Sequence, residues 1–105
     1  MRRPAALGLV LLLGCSTALG FRHFQAGNDA LDRGDAASAV LELERAAALA
    51  PERSEIFNHL GLAYAAAGRR ADALFAFERA VALDCDNRAA AANLHAAQAA
   101  AYGAR

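Results

Sequence analysis

Residues 54–87 read SEIFNHLGLAYAAAGRRADALFAFERAVALDCDN, and the spacing of large and small side chains in this stretch decides the fold. Phe57, Leu60, Gly61 and Tyr64 step by three, one and three, which lays them along one face of a helix. Gly61 stands among bulky neighbours on that face, where it admits a second helix to a distance any side chain would prevent. Gly68 then ends the helix as a left-handed cap. Ala73, Phe77 and Ala80 follow at spacings of four and three, so the next helix alternates small and large residues on its inner face. Ser54 reads as the N-cap of the first helix. Residues 54–87 therefore predict an antiparallel pair of helices joined at Gly68.

Sliding the chain against itself by 34 residues finds the same hairpin in residues 20–53. Gly27 pairs with Gly61, Gly34 with Gly68, Ala39 with Ala73, Ala46 with Ala80 and Leu49 with Leu83. Glu44-Arg45 pairs with Glu78-Arg79, and Asp35 offers an N-cap for the second helix of this copy. A period of 34 residues is that of the tetratricopeptide repeat, and the chain resembles that family. The second copy matches closely, with Phe57-x₂-Leu60-Gly61-x₂-Tyr64, Ala73-x₃-Phe77 and Ala80, although Cys85 stands where the closing proline is expected. The first copy is looser, carrying His23, Ala26-Gly27 and Ala30 where large apolar residues are usual. It regains the pattern at Gly34, Ala39-x₃-Leu43, Ala46 and Pro51.

The pattern begins a third time at Arg88, with Asn93-Leu94 where the second copy has His59-Leu60. His95 falls where Gly61 would be, and a bulky residue there blocks close approach of a following helix. Residues 88–105 thus read as a capping helix that stops near Gly103. The resemblance implies an all-α fold, a right-handed α-solenoid fragment of two repeats, 20–53 and 54–87, plus this cap. Repeat arrays need about three units for independent stability, so self-association, a partner or a membrane surface is expected to add burial.

Composition agrees. Alanine fills 31 of 105 positions, Trp is absent and Pro occurs twice, which favours helices over a sandwich or barrel. Lys+Arg and Asp+Glu are both 11, so the chain has no excess of positive charge with which to bind nucleic acid.

The N-terminus reads as an address. Met1-Arg2-Arg3-Pro4 is followed by an unbroken run without a polar side chain from Ala5 to Leu13, the layout of a signal peptide. Leu12-Leu13-Gly14-Cys15 resembles the bacterial lipobox, which implies a signal peptide at 1–14 and lipidation of Cys15. Ser16 after that cysteine lacks the aspartate linked to inner-membrane retention, so the resemblance implies export and anchoring at the outer membrane, facing the periplasm. Residues 15–19 would form a tether reaching at most ~18 Å if extended, holding the repeats close to a membrane-associated partner.

In tetratricopeptide proteins the first helix of each repeat lines a concave groove. The matching positions are Phe21, Phe24, Asn28 and Leu31, then Glu55, Asn58, Leu62 and Ala65, and in the cap Ala89, Ala92, Ala96 and Ala99. Each set is spaced 3-4-3 and so shares one face. The groove is expected to be apolar at one end, smooth with alanine at the other, and to offer two asparagines for a guest's backbone in the middle. None of the twelve is basic, which speaks against capture of a free peptide C-terminus.

Catalytic and metal signatures do not accumulate in this sequence. His23, His59 and His95 are spaced by 36, so against a repeat of 34 each advances about 200° around its helix. They cannot converge on a metal. Asp84-Cys85-Asp86 reads as a turn rather than a reactive thiol, since both neighbours are acidic. No metal, cofactor or catalytic group is expected. The reading is a non-enzymatic, lipid-anchored adaptor that binds a protein partner, recruiting it or assisting assembly of an envelope complex. The alternative is a chaperone-like holder of apolar segments of exported proteins, which would use Phe24, Leu31 and Leu62.

Overall fold

The computed structural model describes the backbone of residues 4–103 and the side chains of residues 16–103. Five helices follow one another: α1 (Pro4–Asp32), α2 (Ala36–Leu49), α3 (Ser54–Ala66), α4 (Arg70–Leu83) and α5 (Arg88–Gly103). Every described element is helical, and α1–α2 and α3–α4 are the two expected hairpins.

Both hairpins turn by the same device. Gly34 and Gly68 adopt φ of 75° and 77°, a region open to glycine at little cost. Beside them Asp35 N–H donates to Ala30 O at 2.9 Å, and Arg69 N–H donates to Tyr64 O at 2.8 Å. These six-to-one bonds, with Gly34 N–H to Leu31 O and Gly68 N–H to Ala65 O, make the glycine-terminated helix end that satisfies orphan carbonyls. Asp35 then caps α2, accepting from the Ser38 N–H at 3.1 Å. The Ser38 hydrogen bonds hold its carboxyl below the ordinary value.

Gly27 and Gly61 set the closeness of each hairpin. A methyl at Gly27 would overlap the Leu43 side chain, and one at Gly61 would overlap the Phe77 ring. Leu43 and Phe77 are 0 % and 3 % exposed, so neither has open space to move into. Among the described residues nine of the fourteen buried apolar residues are alanines, which brings helix axes together and leaves Leu43 as the largest fully buried side chain. Ala30, Ala39, Val40, Leu43, Ala46, Ala47, Ile56, Leu60, Ala63 and Ala76 form one core, with Phe24, Leu31, Phe57 and Tyr64 packed on it.

Two expectations need correction. Ser54 is the first residue of α3, not its cap. The capping position belongs to Arg53, which makes no side-chain cap bond, and the Ser54 hydroxyl instead donates to Ala80 O at 2.7 Å. The reach of the tether also changes. Helix α1 runs unbroken through residues 15–19, so five steps rise ~7.5 Å rather than ~18 Å. No proline interrupts this stretch, and alanine and leucine within it favour the helix. The lipidation assigned to Cys15, and the side chains of residues 1–14, lie outside the described residues. Among the described residues no helix is long and apolar enough to cross a membrane.

Candidate partner-binding groove

Helix α3 touches both α1 and α5, whereas α2 and α4 do not approach each other. The row of helices therefore curves with α1, α3 and α5 on its inner side, the side where the groove positions were placed.

Beside the first end of that groove, between α1, the end of α2 and the start of α3, lies an open and largely apolar cleft. Phe21 is 56 % exposed and shares a cleft of about 510 Å³ with Phe24, Leu49 and Ile56, with Glu52 and Arg53 also in its wall. Phe24 is half-buried and meets the His59 ring edge-on, with centroids 5.0 Å apart. The cleft is open because the chain at this end offers Gly20 and Ala18, too small to fill it.

The middle of the groove departs from expectation. Asn28 accepts through Oδ1 from His59 Nδ1 at 2.6 Å, and Asn58, only 5 % exposed, accepts through Oδ1 from Asn93 Nδ2 at 2.9 Å. Both asparagines spend an acceptor on the next first helix instead of on a guest. Asn58 is floor, not lining. The cause is the alanine-rich packing, which brings successive first helices near enough for one amide to bridge. The signal in the sequence was a polar residue at the same register of each later copy, His59 and Asn93, facing Asn28 and Asn58.

The remaining positions scatter. Leu31 is half-buried against the core, and Glu55 is exposed and pairs with Arg53 at 3.8 Å. Leu62 is 37 % exposed. Ala65 belongs to a different cleft, at the α5 end, and Ala89, Ala92, Ala96 and Ala99 are exposed on α5. Phe21 and Phe24 are thus brought together, and the other six positions do not join them in one pocket.

Charged groups brace the helices instead of converging. His23 Nδ1 donates to Glu42 Oε2 at 2.6 Å, His59 serves Asn28, and His95 is exposed. Burial pushes the His59 imidazole below its ordinary 6.5, against the pull of Glu55 and Asp32. The Tyr64 hydroxyl donates to Glu44 Oε2 at 2.8 Å, and burial with that carboxylate pushes the phenol up to about 12. Arg69 lies over the Tyr64 ring at 4.6 Å and pairs with Asp72 at 2.9 Å. Among the described residues no group of three or more His, Cys, Asp and Glu is arranged to hold a metal ion.

Asn87 was missed by sequence reasoning. Its Oδ1 accepts from the Ala90 N–H at 3.1 Å, capping α5, while its Nδ2 donates to Ser54 Oγ at 2.9 Å. An asparagine directly before a helical run was the available signal.

A helical-repeat fold with a curved inner face is now in place, and a family model described as the bacterial transcriptional activator domain matches residues 19–100. The chain belongs to that family. The match and the similar proteins named for their repeats together support a repeat protein of the tetratricopeptide kind. A TPR repeat-containing protein of Pseudomonas aeruginosa is 43 % identical over 72 residues, which is 69 % of this chain and 29 % of that protein. Cellulose synthase operon protein C of Escherichia coli is 42 % identical over 64 residues, 61 % of this chain and 6 % of that protein. The chain therefore spans less than a third of the length of these relatives. As a member of this repeat family, it is a helical domain of the kind that mediates contacts between proteins.

Proposed function

We propose that this chain is a non-catalytic adaptor, lipid-anchored through Cys15 at the periplasmic face of the outer membrane, that holds a protein partner and assists assembly of an envelope complex. The observation that carries the reading is the open cleft of about 510 Å³ around Phe21 and Phe24, between α1, the end of α2 and the start of α3. An exposed phenylalanine beside an unfilled apolar cleft is the chemistry of a docking site for an apolar side chain. The cleft includes Thr17 and Ala18 of the tether, which favours a membrane-associated partner within its reach. Relatives named for their repeats or for an operon, not for a reaction, support the non-catalytic part.

The test is a photocrosslinking residue at Phe21, in the full chain in living cells, with intact mass reporting lipidation. One dominant protein adduct, lost in Phe24→Glu, is expected. A ladder of many adducts would favour the holder of exported apolar segments, for which Phe24 and the exposed Leu62 are the supporting residues. No adduct from a folded, lipidated chain would remove the groove as the working surface. An unmodified Cys15 would remove the anchor.

A further inference from the structure

The last turns of α2 and α4 hold equivalent carbonyls that are satisfied to different degrees. Ala46 O accepts from the Ala50 N–H at 3.0 Å, and 34 residues later Ala80 O accepts from the Asp84 N–H at 3.1 Å. The Ala80 carbonyl also takes the Ser54 hydroxyl at 2.7 Å, and that hydroxyl in turn accepts from Asn87 Nδ2 at 2.9 Å. One repeat earlier the same three positions are Ala46, Gly20 and Arg53. Glycine has no hydroxyl to give, and Arg53 turns towards Glu55 at 3.8 Å. Among the described residues no side chain donates to Ala46 O, which keeps only its backbone bond. Gly20 and Arg53 are both in the wall of the cleft around Phe21. A Cβ at Gly20 would lie 3.4 Å from Leu49 Cβ, so a side chain there would rest on the turn of α2 that carries the Ala46 carbonyl.

We infer that the partner supplies the bridge which the first repeat lacks, and that the side chain it inserts between Phe21 and Gly20 is a tyrosine. The large walls of the cleft, Phe21, Phe24, Leu49 and Ile56, are apolar and suit the body of a ring. The Ala46 carbonyl can only accept, so the occupant brings a donor. The Arg53 guanidinium can only donate, so the same group also accepts. A hydroxyl does both, as that of Ser54 does at the second junction, and a phenol carries one at the tip of a ring. Phenylalanine would fill the walls and leave both polar groups unanswered, whereas tryptophan and lysine bring a donor alone. Gly20 is then the residue that sets specificity, because any side chain on it takes the place of the guest's hydroxyl. The inference rests on the adaptor reading, since it names what enters the same cleft.

The test needs no partner. N-acetyl-tyrosine amide and N-acetyl-phenylalanine amide are titrated into the full chain in lipid nanodiscs, and the amide NMR shifts of Gly20, Phe21 and Ala50 report binding. The tyrosine amide should bind about threefold more tightly or better, the size of one net hydrogen bond. Gly20→Ser combined with Arg53→Asn copies the second junction's bridge into the first. That double variant should lose the tyrosine amide and melt above Gly20→Ala, which gains helix propensity without a hydroxyl. Equal affinity for the two amides, tyrosine binding that survives in the double variant, or a melting point no higher than that of Gly20→Ala would each overturn the inference. An adduct from Phe21 in cells without a tyrosine preference overturns this inference and leaves the adaptor reading in place. A tyrosine preference with no adduct in cells removes the adaptor reading and keeps the chemistry of the cleft.

Discussion

The two junctions between successive units share one 34-residue template and are closed by different chemistry. Where α1 and α2 meet α3, large apolar groups do the work: Val40, Leu43, Ile56 and Leu60 are buried, with Phe24 and Leu31 packed on them. Where α3 and α4 meet α5, the buried side chains of α4 and α5 are alanines and Phe77, and α5 buries only Ala90. There a polar bridge takes over, running from Asn87 to Ser54 to the Ala80 carbonyl, with Asn93 bound to Asn58 alongside. Apolar burial contributes in proportion to area, whereas a hydrogen bond contributes only about 0.5–1.5 kcal/mol net. The first junction should therefore carry the stability, and the second should fix where α5 sits.

Three substitutions sharpen or break that contrast, in falling order of effect. Leu43→Ala removes the largest fully buried side chain and should cost about 2–5 kcal/mol in chemical denaturation, unfolding both hairpins together. Asn93→Ala leaves the Asn58 oxygen buried without its partner and should cost about 1–3 kcal/mol. Its mark is local: amide exchange should speed up in α5 while α2 and α3 keep their protection. Equal loss of protection in α2 would show that the junctions are not separable. Ser54→Ala loses a donor to Ala80 and an acceptor for Asn87, with an expected cost of about 1 kcal/mol, again concentrated at the start of α5.

The sequence made the hairpins more legible than the junctions between them, for a physical reason. Packing leaves a periodic trace, since Gly61 opposite Phe77 and Gly27 opposite Leu43 recur at the repeat and must be small opposite large. The turn glycines Gly34 and Gly68 leave a trace because only a few residues accept positive φ. Polar bridges leave none of this kind. Asn58 and Leu62 share a groove-facing spacing, yet one is floor and the other is exposed, and only the distance between neighbouring helices separates them. Ser54 likewise satisfies the composition of a cap while its hydroxyl serves a carbonyl 26 residues away. Local pattern fixes which face a residue is on, and the alanine content of the whole row fixes whether that face is open.

Acid gives the smallest effect and bears on the first junction, through His59. His59 sits at the first junction, and the Asn58–Asn93 pair at the second does not titrate. Burial depresses the folded-state imidazole below its ordinary 6.5, while the carboxylates of Glu55 and Asp32 oppose that shift. Below pH 6.5 the unfolded chain thus binds more protons than the folded one. Stability is full above that pH, declines as pH falls towards the folded-state value and levels off beneath it. The bond to Asn28 does not itself break, since Nδ1 donates in both protonation states. The loss comes from charging a half-buried ring against Phe24. His59→Gln keeps an amide donor for Asn28 and removes the charge, so the fall in melting temperature between pH 7.5 and pH 5.5 should shrink in that variant. His23→Gln and His95→Gln provide the control, and an undiminished slope in His59→Gln would place the acid response outside the first junction.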